Sequence, residues 1–277
     1  MTTNAYRRNA ASILVAALLL AGCSDGEPTK ADKAAAASAP GAPPAGAADE
    51  AAKDAPASHV TEKNDLIEFV YSYPADAAQI SELARALNGD REAKRGALVA
   101  AAQRDEAAAA KGDYPYRTHS HRQTWQRVTS TPRLLSLSSE IETYGGGAHG
   151  MQTFDTLIWD RNRRRQLKPL DLFQNSETFD AAVRESFCAG IKRAKAAKGI
   201  TADDASDSPF GKCPPASAQT VWLGSSDGRY LDRMTIAIAP YEVGPYAEGS
   251  YKINVPVTGA LVKVVKDEFA RDFLPIN

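Results

Sequence analysis

The sequence predicts the α+β class: antiparallel sheets with packed helices, arranged as two related subdomains. Three observations lead there. Alternating stretches rich in β-branched and aromatic residues recur from Asp65 to Val257, four segments with helical spacing interrupt them, and the stretches between His121 and Phe173 follow one another across short turns.

Taken in order, "DLIEFVYSYP" (Asp65 to Pro74) reads as a strand. In "AQISELARALNG", Ile80, Leu83, Ala84 and Leu87 share one helical face that stops at Gly89, and a second, Ala-rich helix is expected from Asp90 to Lys111, closed by Gly112. "HRQTWQRVTST", "PRLLSLSSEIETY", "MQTFDTLIWD" and "RQLKPLDLF" then form an antiparallel meander. Ser176 is the expected cap of a helix whose apolar face is Phe179, Ala182, Val183, Phe187 and Ile191 and which ends near Gly199. A polar, Pro-containing loop, "ITADDASDSPFGKCPPAS", follows. Strands return with "QTVWLG", "RMTIAIAPYEVG" and "SYKINVPV", and Thr258 caps a last helix carrying Leu261, Val262, Val265, Phe269 and Phe273.

The N-terminus has a different character. Arg7 and Arg8 precede an apolar run from Ala10 to Leu20, too short to cross a bilayer at about 20 residues per span, with Leu20-Ala21-Gly22-Cys23 directly behind it. "LAGC" resembles the bacterial lipobox. The resemblance implies that residues 1–22 are a lipoprotein signal peptide, that cleavage precedes Cys23, and that the Cys23 thiol is lipidated and holds the chain to a membrane. Ser24 in place of Asp resembles the outer-membrane sorting signal of Gram-negative bacteria, so the expectation is an outer-membrane lipoprotein facing the periplasm, the inner membrane being the other destination. Residues 23–58 are nearly all Ala, Pro, Gly, Ser and charged residues; without large apolar side chains they read as a flexible tether.

Charge excludes one class of partner. The chain carries a formal net charge of −1, and removing the first 58 residues leaves 28 basic and 28 acidic side chains. Nucleic acid is therefore not an expected ligand. Cys188 and Cys213, an even pair in an exported chain, are expected to form a structural disulfide; they lack the CxxC spacing of a redox pair.

The least ordinary stretch is "YGGGAHG", Tyr144 to Gly150, between two strands. Because a strand and not a helix follows, the glycines cannot present a helix N-terminus to a phosphate, and a tight turn is the expected reading. His149 is a packed His on this bend in preference to a general base, since no partnered nucleophile accompanies it. With "TFDTLIWD", "LKPLDLF" and "IAPYEVGPYAEGSYKINVPV" (Ile238 to Val257), this stretch looks like the paired extracytoplasmic domains of the lysozyme-sensing anti-sigma factor family RsiV, an architecture that also accompanies PdaC-type peptidoglycan deacetylases as a non-catalytic part. The resemblance assigns residues 59–165 to a PdaC-like N-terminal subdomain and 166–277 to an RsiV-like C-terminal one. It implies a binding or sensing module for lysozyme or a peptidoglycan-related ligand, with no cofactor or metal. Its candidate ligand-binding residues are Tyr144, Gly146, Gly147 and His149 with Tyr241, Gly244, Pro245 and Tyr246.

Two departures limit what carries over. The chain has a lipoprotein leader where an anti-sigma factor has a membrane span and a cytoplasmic segment, and it has no His-x-x-x-His pair for a deacetylase metal. The alternative, a hydrolase or deacetylase, rests on His149 or on His119 and His121, which share a strand face but are expected to be solvated. "RNRRRQ" (Arg161 to Gln166) reads as an exposed charged turn, and Asp203, Asp204 and Asp207 lack the spacing of a calcium loop.

Overall fold

Alternation in "IEFVYSY" has a direct structural outcome: every second residue of this strand, Ile67, Phe69, Tyr71 and Tyr73, is buried. The computed structural model describes residues 57–200 and 210–276. Cys23 and Asp203, Asp204 and Asp207 lie outside the described residues. A six-stranded sheet has the order β1 (Ser58–Lys63), β2 (Ile67–Tyr73), β3 (His119–Ser130), β4 (Leu134–Tyr144), β5 (Met151–Asp160), β6 (Arg165–Leu167). A three-stranded antiparallel sheet follows with β7 (Thr220–Gly224), β8 (Arg233–Ile238) and β9 (Tyr251–Pro256). The mixed α+β class is thus as the sequence predicts, and β3 to β6 form the expected antiparallel meander.

The β2 and β3 strands pair in parallel, which the sequence does not announce. A parallel pair needs a crossover, and it is supplied by a short helix α1 (Ala75–Ala78) and a long helix α2 (Ser81–Gly112). The two helices expected on either side of Gly89 are therefore one helix of 32 residues. Gly89 and Gly96 face open space, so each costs about 1 kcal/mol of propensity but disturbs no packing, while Leu83, Leu87, Ala102 and Ala109 hold the helix on the sheet.

Both faces of the large sheet are used. Leu135, Leu137, Leu157 and Trp159 join Phe69, Tyr71 and Trp125 beneath α2. Leu134, Ile158 and Leu167 face the other way, into a core made with the small sheet and helix α3 (Ser176–Ala197). The cap of α3 is Asn175, whose side chain accepts from the Thr178 amide; Ser176, the expected cap, is already helical. Cys188 and Cys213 are bonded, with Cα atoms 5.7 Å apart, and in the chain-entropy picture a loop of this length contributes about 3 kcal/mol.

The expected last helix is broken. Thr258 caps as anticipated, its hydroxyl accepting from Leu261, but α4 (Gly259–Val262) stops after four residues. The chain then pairs with residues 172–174 through Lys266 N to Leu172 O and Gln174 N to Val264 O, before a 3-10 turn at Asp267–Asp272. Backbone pairing and burial of Val265, Phe269 and Phe273 outweigh helical continuity.

Two partly buried hydrogen bonds connect the sheets. Thr156 Oγ1 donates to Val221 O at 2.8 Å, and Trp222 Nε1 donates to Asp155 O at 3.0 Å. Arg133 forks to Asp160 and Asp272, each at 2.9 Å, donates to Glu268 O and lies 4.4 Å over the Phe269 ring. The arginine turn is not free either: Arg161 donates to Thr131 O and Ser130 Oγ, Arg163 pairs with Glu268, and Arg164 with Glu82. The turn is exposed as expected from Asn162 to Gln166, but its arginines are tied to Ser130, Thr131, Glu82 and Glu268.

Candidate functional site

The β4–β5 hairpin carries the glycine run at its tip. Gly146 has φ +78°, a region costly for any residue with a Cβ, so the turn selects glycine at that position. The loop is fastened from one side by Tyr144, whose hydroxyl donates to Gly147 O at 3.0 Å, and by Arg117, which donates to the Gly147 carbonyl at 3.1 Å and more distantly to Gly146 O.

The other side of the tip meets the second sheet. Between β8 and β9 the chain runs through Pro240, Tyr241, buried Val243, Gly244 and Pro245 into a 3-10 turn at Tyr246–Glu248. Glu248 anchors that turn: its carboxylate accepts from Tyr251 and pairs with Lys195 of α3 at 3.3 Å. Gly244 lies against the same carboxylate. The loop is thus held from behind, and its two tyrosines face the hairpin.

There the imidazole of His149 stacks on Tyr246, with centroids 3.8 Å apart and planes 21° from parallel. Tyr246 donates its hydroxyl proton to Gly150 O at 2.8 Å. The same carbonyl lies 2.8 Å from His149 Nδ1. A carbonyl only accepts, so Nδ1 carries a proton, and in the neutral ring Nε2 is left to accept from Tyr241 OH at 3.3 Å. Tyr241 completes the group, its ring 5.6 Å from Tyr246. It is 46% exposed and has φ +74°, an uncommon conformation for a bulky residue that the surrounding loop must enforce.

All eight candidate residues therefore fall in one region. Tyr144, Gly146 and Gly147 form the near side of the hairpin, His149 its far side, Tyr241 and Tyr246 the aromatic face, and Gly244 and Pro245 the bend that presents them. Chemically, the arrangement is a solvent-facing aromatic surface with hydroxyl and imidazole edges, held by its own hydrogen bonds. It suits recognition by stacking and hydrogen bonding.

The two strand histidines are placed differently from expectation. His119 and His121 share one face of β3, but both are buried. His119 Nε2 lies 3.2 Å from Asp105 and His121 Nε2 lies 3.3 Å from Gln123 Oε1. Burial holds the His121 imidazole below its ordinary pKa, with the nearby Lys94 acting in the same direction. Among the described residues no group of three or more His, Cys, Asp or Glu side chains converges as metal ligands, so the pair does not fit a deacetylase-type metal.

Sequence reasoning misses the residues behind the hairpin. Arg117, Tyr114 and Asp105 line a cleft of about 430 Å³ with Tyr116, His119, Gly145 and Gly146. No local pattern marks them, because they converge from the end of α2, the following loop and the hairpin.

Comparison with known families finds a match between residues 60–152 and the family described as Deacetylase PdaC. The matched segment comprises most of the large sheet and ends two residues into β5, so it includes the glycine hairpin and His149 but not the tyrosine loop. Among solved structures, a DUF3298 family protein from Pseudomonas aeruginosa PAO1 is 18% identical with a TM-score of 0.47, over 80% of this chain and 98% of that chain. A member of the same family from Bacteroides fragilis is 17% identical with a TM-score of 0.41, over 78% of this chain and 95% of that one. Among curated proteins none matches the chain.

Proposed function

We propose that this protein is a lipid-anchored cell-envelope module that acts by binding, and that its ligand is lysozyme or a peptidoglycan-related molecule. Cys23 is the lipidation site, residues 23–58 give reach from the membrane, and the outer membrane facing the periplasm is the destination. The binding surface is the aromatic face of His149, Tyr241 and Tyr246.

One observation carries this reading. Tyr241 remains 46% exposed in an unfavourable backbone conformation although its neighbours are packed and hydrogen bonded. Strain held on an exposed aromatic side chain marks a surface built for contact. The match of residues 60–152 to the PdaC family adds support for a cell-wall context.

Calorimetric titration of the full chain with lysozyme, and separately with soluble peptidoglycan fragments, tests the proposal. Saturable heat from either titrant is the expected result. Heat from neither would leave the fold in place and remove the assignment.

A further inference from the structure

The cleft behind the hairpin has its own chemistry. One wall is the C-terminal end of α2, where Asp113 adopts φ +53° and turns the chain so that the Tyr114 ring lies across Gly112, so close that a Cβ there would come within 2.5 Å of the ring. Tyr114 stays 55% exposed. The same wall bears Asp105, its carboxylate 58% exposed although it contacts His119.

Arg117 lines the same cleft. Its hydrogen bonds go to uncharged acceptors, the Tyr144 hydroxyl and the Gly146 and Gly147 carbonyls. No carboxylate among the described residues pairs with it, and Arg117 and Asp105 line one cleft without forming an ion pair with each other. A guanidinium with no carboxylate partner and an exposed carboxylate thus line one space of about 430 Å³, within the size range of small-molecule sites.

We propose that this cleft binds a small zwitterion, a free amino acid or dipeptide, through its two charged groups. The carboxylate is received by Arg117 and the ammonium by Asp105, while the Tyr114 ring covers the aliphatic part. This site is separate from the aromatic face on the other side of the hairpin and does not depend on what that face binds.

The test is calorimetry of the full chain with three probes: alanyl-alanine, its N-acetyl derivative, which lacks the ammonium, and its C-terminal amide, which lacks the carboxylate. The zwitterion should bind at least tenfold more tightly than either blocked form. Arg117→Gln should erase the advantage over the amide, and Asp105→Asn the advantage over the acetyl form. Because Arg117 also fastens the hairpin, Tyr114→Ala serves as a variant that touches no core; it should weaken alanyl-alanine several-fold with unchanged thermal unfolding. Tyr241→Gly should leave this binding intact, which separates the cleft from the aromatic face. Equal affinity for all three probes, no heat at millimolar concentration, or undiminished binding by both Arg117→Gln and Tyr114→Ala would overturn the proposal.

Discussion

His149 lies flat on Tyr246, ring centroids 3.8 Å apart, and both direct a proton to the Gly150 carbonyl. This contact joins the hairpin of the large sheet to the loop of the small one. Tyr246→Phe removes only the hydroxyl bond and should cost about 1 kcal/mol, whereas Tyr246→Ala also removes the stack and should cost about 2 kcal/mol. Urea unfolding of the two variants measures the difference; equal costs would show that the stack contributes nothing.

The glycines of the hairpin are not equivalent. Gly146→Ala places a Cβ at φ +78° and should destabilise by about 1 kcal/mol, while Gly147, which has open space around it, should accept Ala within about 0.5 kcal/mol. Unfolding midpoints of the pair decide this, and a larger loss at Gly147 would refute the assignment of backbone strain to Gly146.

Stability should decline in mild acid through His121. Burial lowers its folded pKa below the ordinary 6.5, so the unfolded chain binds the proton more readily. The contribution is complete above about pH 6.5 and is lost as the pH falls from there toward the folded value. Lys94 disfavours the charged imidazole, Asp90 favours it, and the Gln123 contact also favours it, so these are the groups that set the depth of the effect. His121→Gln should flatten the stability profile as the pH falls below 6.5, and an unchanged slope would assign the acid sensitivity elsewhere.

Arg133 should be the costliest surface-proximal side chain to remove. Asp160 has no solvent exposure, and Arg133 supplies two of its hydrogen bonds while also binding Asp272. Burial pushes the Asp160 carboxyl up, but the bonds from Arg133 and from the Arg163 and Asn162 amides outweigh it and hold the carboxyl below its ordinary value. Arg133→Gln leaves that charge poorly compensated and should cost about 3 kcal/mol at neutral pH. Asp160→Asn in the same background should recover part of the loss; no recovery would mean that the cost arises from lost packing on Phe269.

Much of this architecture is legible in the sequence because its strands alternate cleanly. "IEFVYSY" places apolar residues at period two on a face that is in fact buried, whereas the consecutive Leu157, Ile158 and Trp159 of "MQTFDTLIWD" are buried on both faces of the sheet. What escapes is decided by contacts distant in the chain. Gly89 looks like a helix stop until the sheet beneath Leu83, Leu87 and Ala102 carries the helix past it. The Leu261 to Phe273 pattern looks like one helix until residues 172–174 offer backbone partners. The candidate site divides in the same way. Its glycine and tyrosine motifs stand out by composition, but that His149 meets Tyr241 and Tyr246 is set by the packing of two sheets, and Arg117, Tyr114 and Asp105 carry no local signal at all.

The central claim is that the aromatic face binds the envelope ligand, and Tyr241→Gly tests it most directly. Glycine removes the exposed ring and relieves the φ of +74°, so stability should stay within about 1 kcal/mol of the parent. Retention of the full chain on immobilised lysozyme and on insoluble peptidoglycan should fall at least tenfold for the variant on whichever surface holds the parent. Parent-like retention of a stably folded Tyr241→Gly protein would contradict the account.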